Sequence, residues 1–299
     1  MKNNITQFLA ILFLVVLASG CEKFFTTTLT IDPPPHSDQL VIHAFLSDND
    51  SLLPCSVTKS FALLDNITED QYQDSATVTL FRDGVKVGDL ESLDDTFRPF
   101  NYGYFNQGAI GSNGVEFEIK VVHPTLGEAS AKSTMPNLVP IKEIEYKKDV
   151  RSGDFGDRED AVEITFDDPL GVENYYEFAL IQADTFGSGE VFINDLFTSF
   201  NDPNISEGVK FNYYLLSDES FDGKEYKFRL FGNDFSSGAI FVLWRSVSKS
   251  TYLYSKSVSD QLDAQDLGTF ADPVSIFSNV ENGLGVFGLK AERLYPLER

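Results

Sequence analysis

Positive charge is scarce in this chain: 23 Lys and Arg stand against 46 Asp and Glu, a net charge of −23 over 299 residues. Nucleic acid, whose phosphates demand cationic side chains, is thereby excluded as a partner, and so is docking on anionic lipid through a basic face. Cysteine is nearly absent, with only Cys21 and Cys55. No disulfide framework staples the fold, and its stability must rest on an apolar core. The histidines, His36, His43 and His123, show no i, i+2 or i, i+4 pairing and no cysteine partner, which argues against a zinc site. After the leader, no apolar run approaches the roughly 18–20 residues of a permanent membrane helix. Heptads, triplets and other short repeats are missing too, which excludes coiled-coil and collagen-like classes.

What is present is a folding composition. Apolar residues make up 42% of the chain, and 27 Phe with 12 Tyr point to strands, where aromatic rings fit the pleated surface. At roughly 150 residues per domain the length suits about two domains. Residues 76–82 and 115–122 alternate apolar and polar side chains with period two, and Asp83-Gly84 marks a hairpin turn. Strand-like segments at 8–12-residue spacing continue to residue 133. The first half therefore reads as an immunoglobulin-like β-sandwich over residues 38–137, without the Cys–Trp–Cys hallmark of true immunoglobulin domains. Pro136 and Pro140 frame a junction, and a second antiparallel β domain is expected over 141–299. One amphipathic helix is expected at 248–262, capped by Ser248, with Val247, Thr251, Tyr254, Val258 and Leu262 on one face.

Motifs that imitate chemistry fail on context. Gly283-Leu-Gly285-Val-Phe-Gly288 is a literal G-x-G-x-x-G, but too little chain follows to build a dinucleotide site, so neither nucleotide nor other cofactor is expected. The glycines are expected to serve a turn at Asn282-Gly283 that joins strands at 274–280 and 284–289 as a hairpin closing the second domain. No G-x-S-x-G elbow supports a serine hydrolase. Paired carboxylates such as Asp94-Asp95 and Asp167-Asp168 carry little meaning among so many acids. The loops at Asp48-Asn49-Asp50 and at Asp154, Asp157, Glu159 and Asp160 lack the EF-hand register, and solvated turns are preferred there to calcium sites. No metal is expected.

The segment 97–105 gathers Phe97, Phe100, Tyr102, Tyr104 and Phe105. Such rings either stack on a sugar or a protein partner from a long loop, or fill the core between two sheets.

The start of the chain reads as an address. Lys2 gives a positive n-region, residues 8–17 form an apolar h-region, and Ala18-Ser19-Gly20 suit a peptidase. Leu17-Ala-Ser-Gly-Cys21 resembles the bacterial lipoprotein box, with Ala18 where Leu is usual. Residues 1–20 are then a signal peptide and Cys21 carries the lipid that provides the membrane attachment. In an ordinary secreted chain Cys21 would be incidental. Residues 21–37, with Pro33-Pro34-Pro35, form an extended tether.

Cys21, the short tether, Leu40-Val-Ile-His-Ala-Phe-Leu46 and above all the run Pro273-Val-Ser-Ile-Phe-Ser-Asn-Val-Glu-Asn-Gly-Leu-Gly-Val-Phe-Gly288 resemble a family of Bacteroidota envelope lipoproteins known only as a domain of unknown function. The likeness covers roughly 38–295. It implies an outer-membrane lipoprotein with an N-terminal immunoglobulin-like domain and a C-terminal β domain, often encoded beside TonB-dependent receptors. Glu22 and Lys23 resemble signals that send such lipoproteins to the cell surface. The resemblance brings no catalytic residues.

The expected function is therefore non-enzymatic: an accessory or surface subunit of an outer-membrane β-barrel complex such as a TonB-dependent receptor. The alternative is a surface lipoprotein that binds glycan or peptide nutrients through the 97–105 aromatics.

Overall fold

The computed structural model describes residues 35–299 apart from 63–64, 66–70, 107–109, 112, 154–155, 157, 186–190, 211, 234, 236–237, 267–271 and 273. The expected signal segment, Cys21 and most of the expected tether lie outside the described residues. The chain divides into two units, residues 38–61 with 66–299 and residues 1–37 with 62–65. In the second, Ala62 N donates to Asp65 Oδ2 over 2.9 Å.

The first unit is mostly β, with one α-helix among the described residues. Its strands are β1 (Leu40–Ser47), β2 (Leu52–Lys59), β3 (Thr77–Arg82), β4 (Val85–Asp89), β5 (Glu91–Ser92), β6 (Tyr102–Phe105), β7 (Glu116–His123), β8 (Gly127–Thr134) and β9 (Ile141–Ser152). They continue with β10 (Arg158–Asp167), β11 (Tyr175–Thr185), β12 (Val191–Asp195), β13 (Ile205–Glu207), β14 (Tyr214–Ser217) and β15 (Glu225–Gly232). The chain ends with β16 (Ala239–Val247), helix α1 (Lys249–Asp266), β17 (Val280–Glu281) and β18 (Leu284–Pro296).

A ten-stranded sheet, ordered β13-β14-β11-β16-β18-β1-β2-β6-β5 with β12 on β11, is the frame. A five-stranded sheet, β17-β8-β7-β3-β4, packs over one end of it. A three-stranded sheet, β15-β10-β9, packs over the other. Alternation makes these layers. Leu40, Ile42, Ala44 and Leu46 of β1 are buried while His43 and Phe45 are only partly so, as a one-sided strand requires. They meet Val78, Leu80, Phe117, Ile119 and Val121 from the smaller sheet. At the other end Tyr176, Phe178 and Trp244 meet Val162, Ile164 and Phe166, and the Tyr176 and Trp244 rings stack with centroids 5.1 Å apart.

The Asp83-Gly84 hairpin forms as expected: both residues have positive φ, 47° and 76°, and β3 pairs with β4. The Asn282-Gly283 hairpin does not. β17 pairs with β8, while β18 pairs in parallel with β1 and antiparallel with β16. The turn thus hands the chain from the five-stranded sheet to the ten-stranded one. Residues 274–279, expected as a strand, carry no ladder; Val274 N donates to Gln261 Oε1 and Phe277 N to Ser257 Oγ of α1, at 2.8 and 2.9 Å. The last strand does not simply close the second half: Phe287 and Leu289 sit in the first core, and Leu297 beyond its end sits in the second.

Helix α1 starts where Ser248 caps it, its Oγ accepting from Thr251 N at 3.4 Å, and runs four residues beyond the expected end. Its buried face differs from the expected stripe. Ser250, Thr251, Ser255 and Ser259 are buried, whereas Leu262 is 48% exposed. Proximity explains the difference. A Cβ on Gly288 would come within 2.5 Å of Thr251 Oγ1, so only small side chains fit between helix and β18. No helix of the described residues is long and apolar enough to cross a membrane.

Candidate functional site

The five aromatics of 97–105 are not gathered in one platform. Tyr102 on β6 is 3% exposed, in the first core, and its hydroxyl donates to the carbonyls of Gln73 and Ala76 at 2.9 Å. Burial pushes its phenol up to about 12. Tyr104 also packs on the core, against Gly88, where a Cβ would meet its ring at 2.7 Å. Phe100 is half-buried after a turn closed by Phe100 N on Phe97 O. Phe97 and Phe105 remain exposed, at 43% and 51%. The strand alternation that seats Tyr102 inward separates it from Phe105, so the inter-sheet role takes two of the five rings.

The described acids of the two acidic segments are engaged by the backbone and side chains around them. Asp48, 8% exposed, accepts from Glu292 N and Arg293 Nη1 at 3.0 and 2.9 Å, and Asp50 accepts from Ser47 N at 2.9 Å. Asp154 and Asp157 lie outside the described residues; Asp160 accepts from Asp149 N at 2.8 Å and from Tyr146 OH. A different trio, Asp168, Asp218 and Asp222, brings one carboxylate oxygen from each within 4.8 Å of one another. That donor set could hold a hard cation such as calcium. Each acid is also engaged by backbone: Gly223 N donates to Asp168, Asn174 N to Asp218 and Gly171 N to Asp222, at 3.0, 2.7 and 2.7 Å. Burial, with Asp168 and Asp222 beside it, raises the Asp218 carboxyl above the usual range. The trio ties the loop after β10 to the loop before β15.

A groove of about 740 Å³ with an apolar lining lies beside the 134–140 connection. Leu138, Val172, Leu253 and Phe277 contribute its apolar surface, with Met135 fully buried behind it. Its wall is rigid. Val139 N donates to Ser246 Oγ at 3.0 Å, and the Trp244 indole donates to Val139 O at 2.7 Å, so β16 holds both backbone groups of one residue. Met135 is tied the same way, its N donating to Val115 O and its carbonyl accepting from Gly114 N, at 2.9 and 2.8 Å.

Several of the groove's polar groups are engaged by one another or by the backbone of β18. At the rim, Lys249 Nζ lies 2.8 Å from Glu173 Oε2, which also accepts from Tyr175 OH at 3.1 Å. This pairing lowers the Glu173 carboxyl and raises the Lys249 ammonium. Deeper, Ser250 Oγ donates to Phe287 O at 3.0 Å, and Ser248 Oγ accepts from Leu289 N at 3.1 Å. Asn279 spans the gap to β18, accepting from Phe287 N and donating to Phe287 O, both at 3.0 Å. The arrangement is suited to gripping an apolar segment.

Sequence reasoning read 135–141 only as a junction and missed it as a wall. The available signal was Leu138-Val139, two apolar residues framed by prolines, where a free linker would be polar. Lys249 and Glu173 carry no local signal, because 76 residues separate them.

Comparison with known proteins gives a family and little else. Among solved structures the chain is similar to the β-glucuronidase of Parabacteroides merdae, at 11% identity and TM-score 0.22, covering 70% of this chain and 24% of that one. It is also similar to the BSP domain of a biofilm-associated protein, at 7% identity and TM-score 0.20, covering 90% and 61% of the two chains. The chain spans less than two thirds of either protein, and likeness at this level carries no argument. No curated protein matches. A family profile described as a domain of unknown function (DUF4249) matches residues 26–293, from the tether into the last strand. The chain belongs to that family.

Proposed function

We propose that this protein is a non-enzymatic lipoprotein of the outer membrane, anchored through lipid on Cys21. In this reading it is an accessory, surface-facing subunit of an outer-membrane β-barrel complex of Bacteroidota, such as a TonB-dependent receptor. The groove beside residues 134–140 is the observation that carries the reading. A nucleophile or general base must keep a lone pair or proton for its substrate. Here Ser248, Ser250 and Asn279 are committed to the backbone of β18, and Lys249 to Glu173. An apolar lining within a paired polar rim is how proteins hold a partner's segment. The occupant that suits it is an extended apolar segment of the barrel protein. Two acyl chains or more hold stably at about 0.8 kcal/mol per buried methylene, so the lipid on Cys21 suffices as anchor.

The test is co-purification of the full-length, lipidated chain from detergent-solubilised outer membranes. A β-barrel protein is expected to follow the wild type and to be lost with Leu253→Glu at unchanged Tm. Cys21→Ala is expected to leave the membrane fraction. Recovery of this polypeptide by itself, or a Cys21→Ala chain that stays in the membrane, would contradict the reading.

A further inference from the structure

A second recess, of about 600 Å³, lies between residues 201–204 and the outward face of β15, away from the groove. One wall is charged in an unusual way. Glu163 of β10, 2% exposed, is bonded by Lys147, Lys227 and Arg229 at 2.8, 3.0 and 2.6 Å. Register brings them together: Glu163 stands opposite Arg229, and Lys227 stands opposite Thr165. Burial opposes ionisation of Glu163, but the hydrogen bonds from Lys147, Lys227 and Arg229 outweigh it and hold the carboxyl far below the usual range.

Three cations thus surround one buried anion, and Glu145 lies 3.2 Å from Lys147. Lys227 and Arg229, which line the recess, are each 46% exposed and share Glu163 between them. An ammonium and a guanidinium offer more donors than one shared carboxylate absorbs. On a chain of net charge −23 the recess is locally balanced, Lys227 and Arg229 standing against Glu163 and Asp202.

Around residues 202–204 and Tyr226 the lining has the opposite character. Tyr226 OH donates to Asp202 Oδ2 at 2.8 Å, and Asn204 Nδ2 donates to Asp202 Oδ1 and Tyr226 OH at 3.2 and 2.9 Å. Ser220 Oγ fixes Asn204 Oδ1 at 3.0 Å, and the Tyr226 ring stacks on Phe221 with centroids 3.8 Å apart. The donors of Asn204 and Tyr226 are spent within this set, while Asp202 and Asn204 Oδ1 keep acceptor lone pairs, which suit the hydroxyl donors of a sugar.

We infer that this recess binds an acidic sugar, its carboxylate on Lys227 and Arg229 and its hydroxyls on Asp202 and Asn204. The site is independent of the groove and of the subunit reading, and either can fail without the other. The test titrates the full chain in detergent with trigalacturonate, with galactotriose as neutral control and triaspartate as plain anion. Trigalacturonate is expected to bind at least about tenfold more tightly than either control. Lys227→Gln and Arg229→Gln are expected to abolish its preference over galactotriose, and Asp202→Asn its preference over triaspartate. Each variant is checked for unchanged Tm, and Lys227→Gln, on an exposed side chain, keeps the test open if Arg229→Gln unfolds. Equal binding of trigalacturonate and galactotriose, triaspartate binding as tightly as trigalacturonate, or no binding at all would overturn the inference.

Discussion

The side-chain amide of Asn279 stands in for a strand partner to Phe287: its Oδ1 accepts from Phe287 N and its Nδ2 donates to Phe287 O, each at 3.0 Å. The same Nδ2 donates to Lys132 O on β8 at 3.1 Å. One residue thereby joins the five-stranded sheet to the ten-stranded one at the point where the chain crosses between them. Asn279→Leu leaves one backbone donor and two acceptors without that partner. A loss of roughly 1–3 kcal/mol is expected by urea denaturation, with the m-value unchanged.

Glycines along β18 are there for space. Gly285 has φ 109°, and a Cβ on it would lie 2.0 Å from Ile42 O of β1, whereas Gly84 has φ 76° and nothing within 4 Å. Gly84→Ala is expected to cost about 1 kcal/mol, the penalty of a left-handed backbone alone. Gly285→Ala adds a backbone clash and is expected to lower Tm far more. Equal Tm values for the two variants would show that β1 and β18 are not packed this closely.

These two residues also mark what the sequence could and could not say. Period-two alternation made β3 and β7 legible, because one buried face dictates it, and Ser248 announced the helix. Asn-Gly at 282–283 read as a hairpin because local chemistry favours it. Yet Gly283 lacks the positive φ of a two-residue I′ turn, and a Cβ there would meet Leu40 O at 2.7 Å. The glycine is fixed by a strand more than 240 positions away, and no local pattern encodes that. The groove was illegible for the same reason, since its wall, rim and Phe277 come from distant parts of the chain.

Acid sensitivity follows from Glu163. Its carboxyl titrates far below its ordinary value in the fold, so the stabilisation is complete above the unfolded glutamate range, near pH ~4.3, and is lost as pH falls below it. Glu163→Gln leaves Lys227 and Arg229 without their counter-charge, while Lys147 keeps Glu145, and is expected to cost on the order of 3 kcal/mol at pH 7. The gap between wild type and variant is expected to narrow from pH 5 to pH 3 in denaturation series. A gap independent of pH would show that Glu163 is not ionised in the fold.

Cys55, fully buried on β2, has its thiol pushed up by burial. In the native Cys21→Ala chain at pH 8, an aromatic disulfide reagent is expected to leave Cys55 unmodified. It is expected to label one thiol per chain once denaturant is added. Rapid native labelling would mean that the β1–β2–β6 region opens readily.

The central claim, that the groove holds a partner in the outer membrane, is tested most directly by a photo-crosslinking amino acid in place of Leu253 in the full-length lipidated chain. Irradiation of intact membranes is expected to join it to an outer-membrane β-barrel protein, while the same probe at exposed Val85 on β4 gives no such product. Capture of the same barrel protein from both positions, or from neither, would contradict the claim.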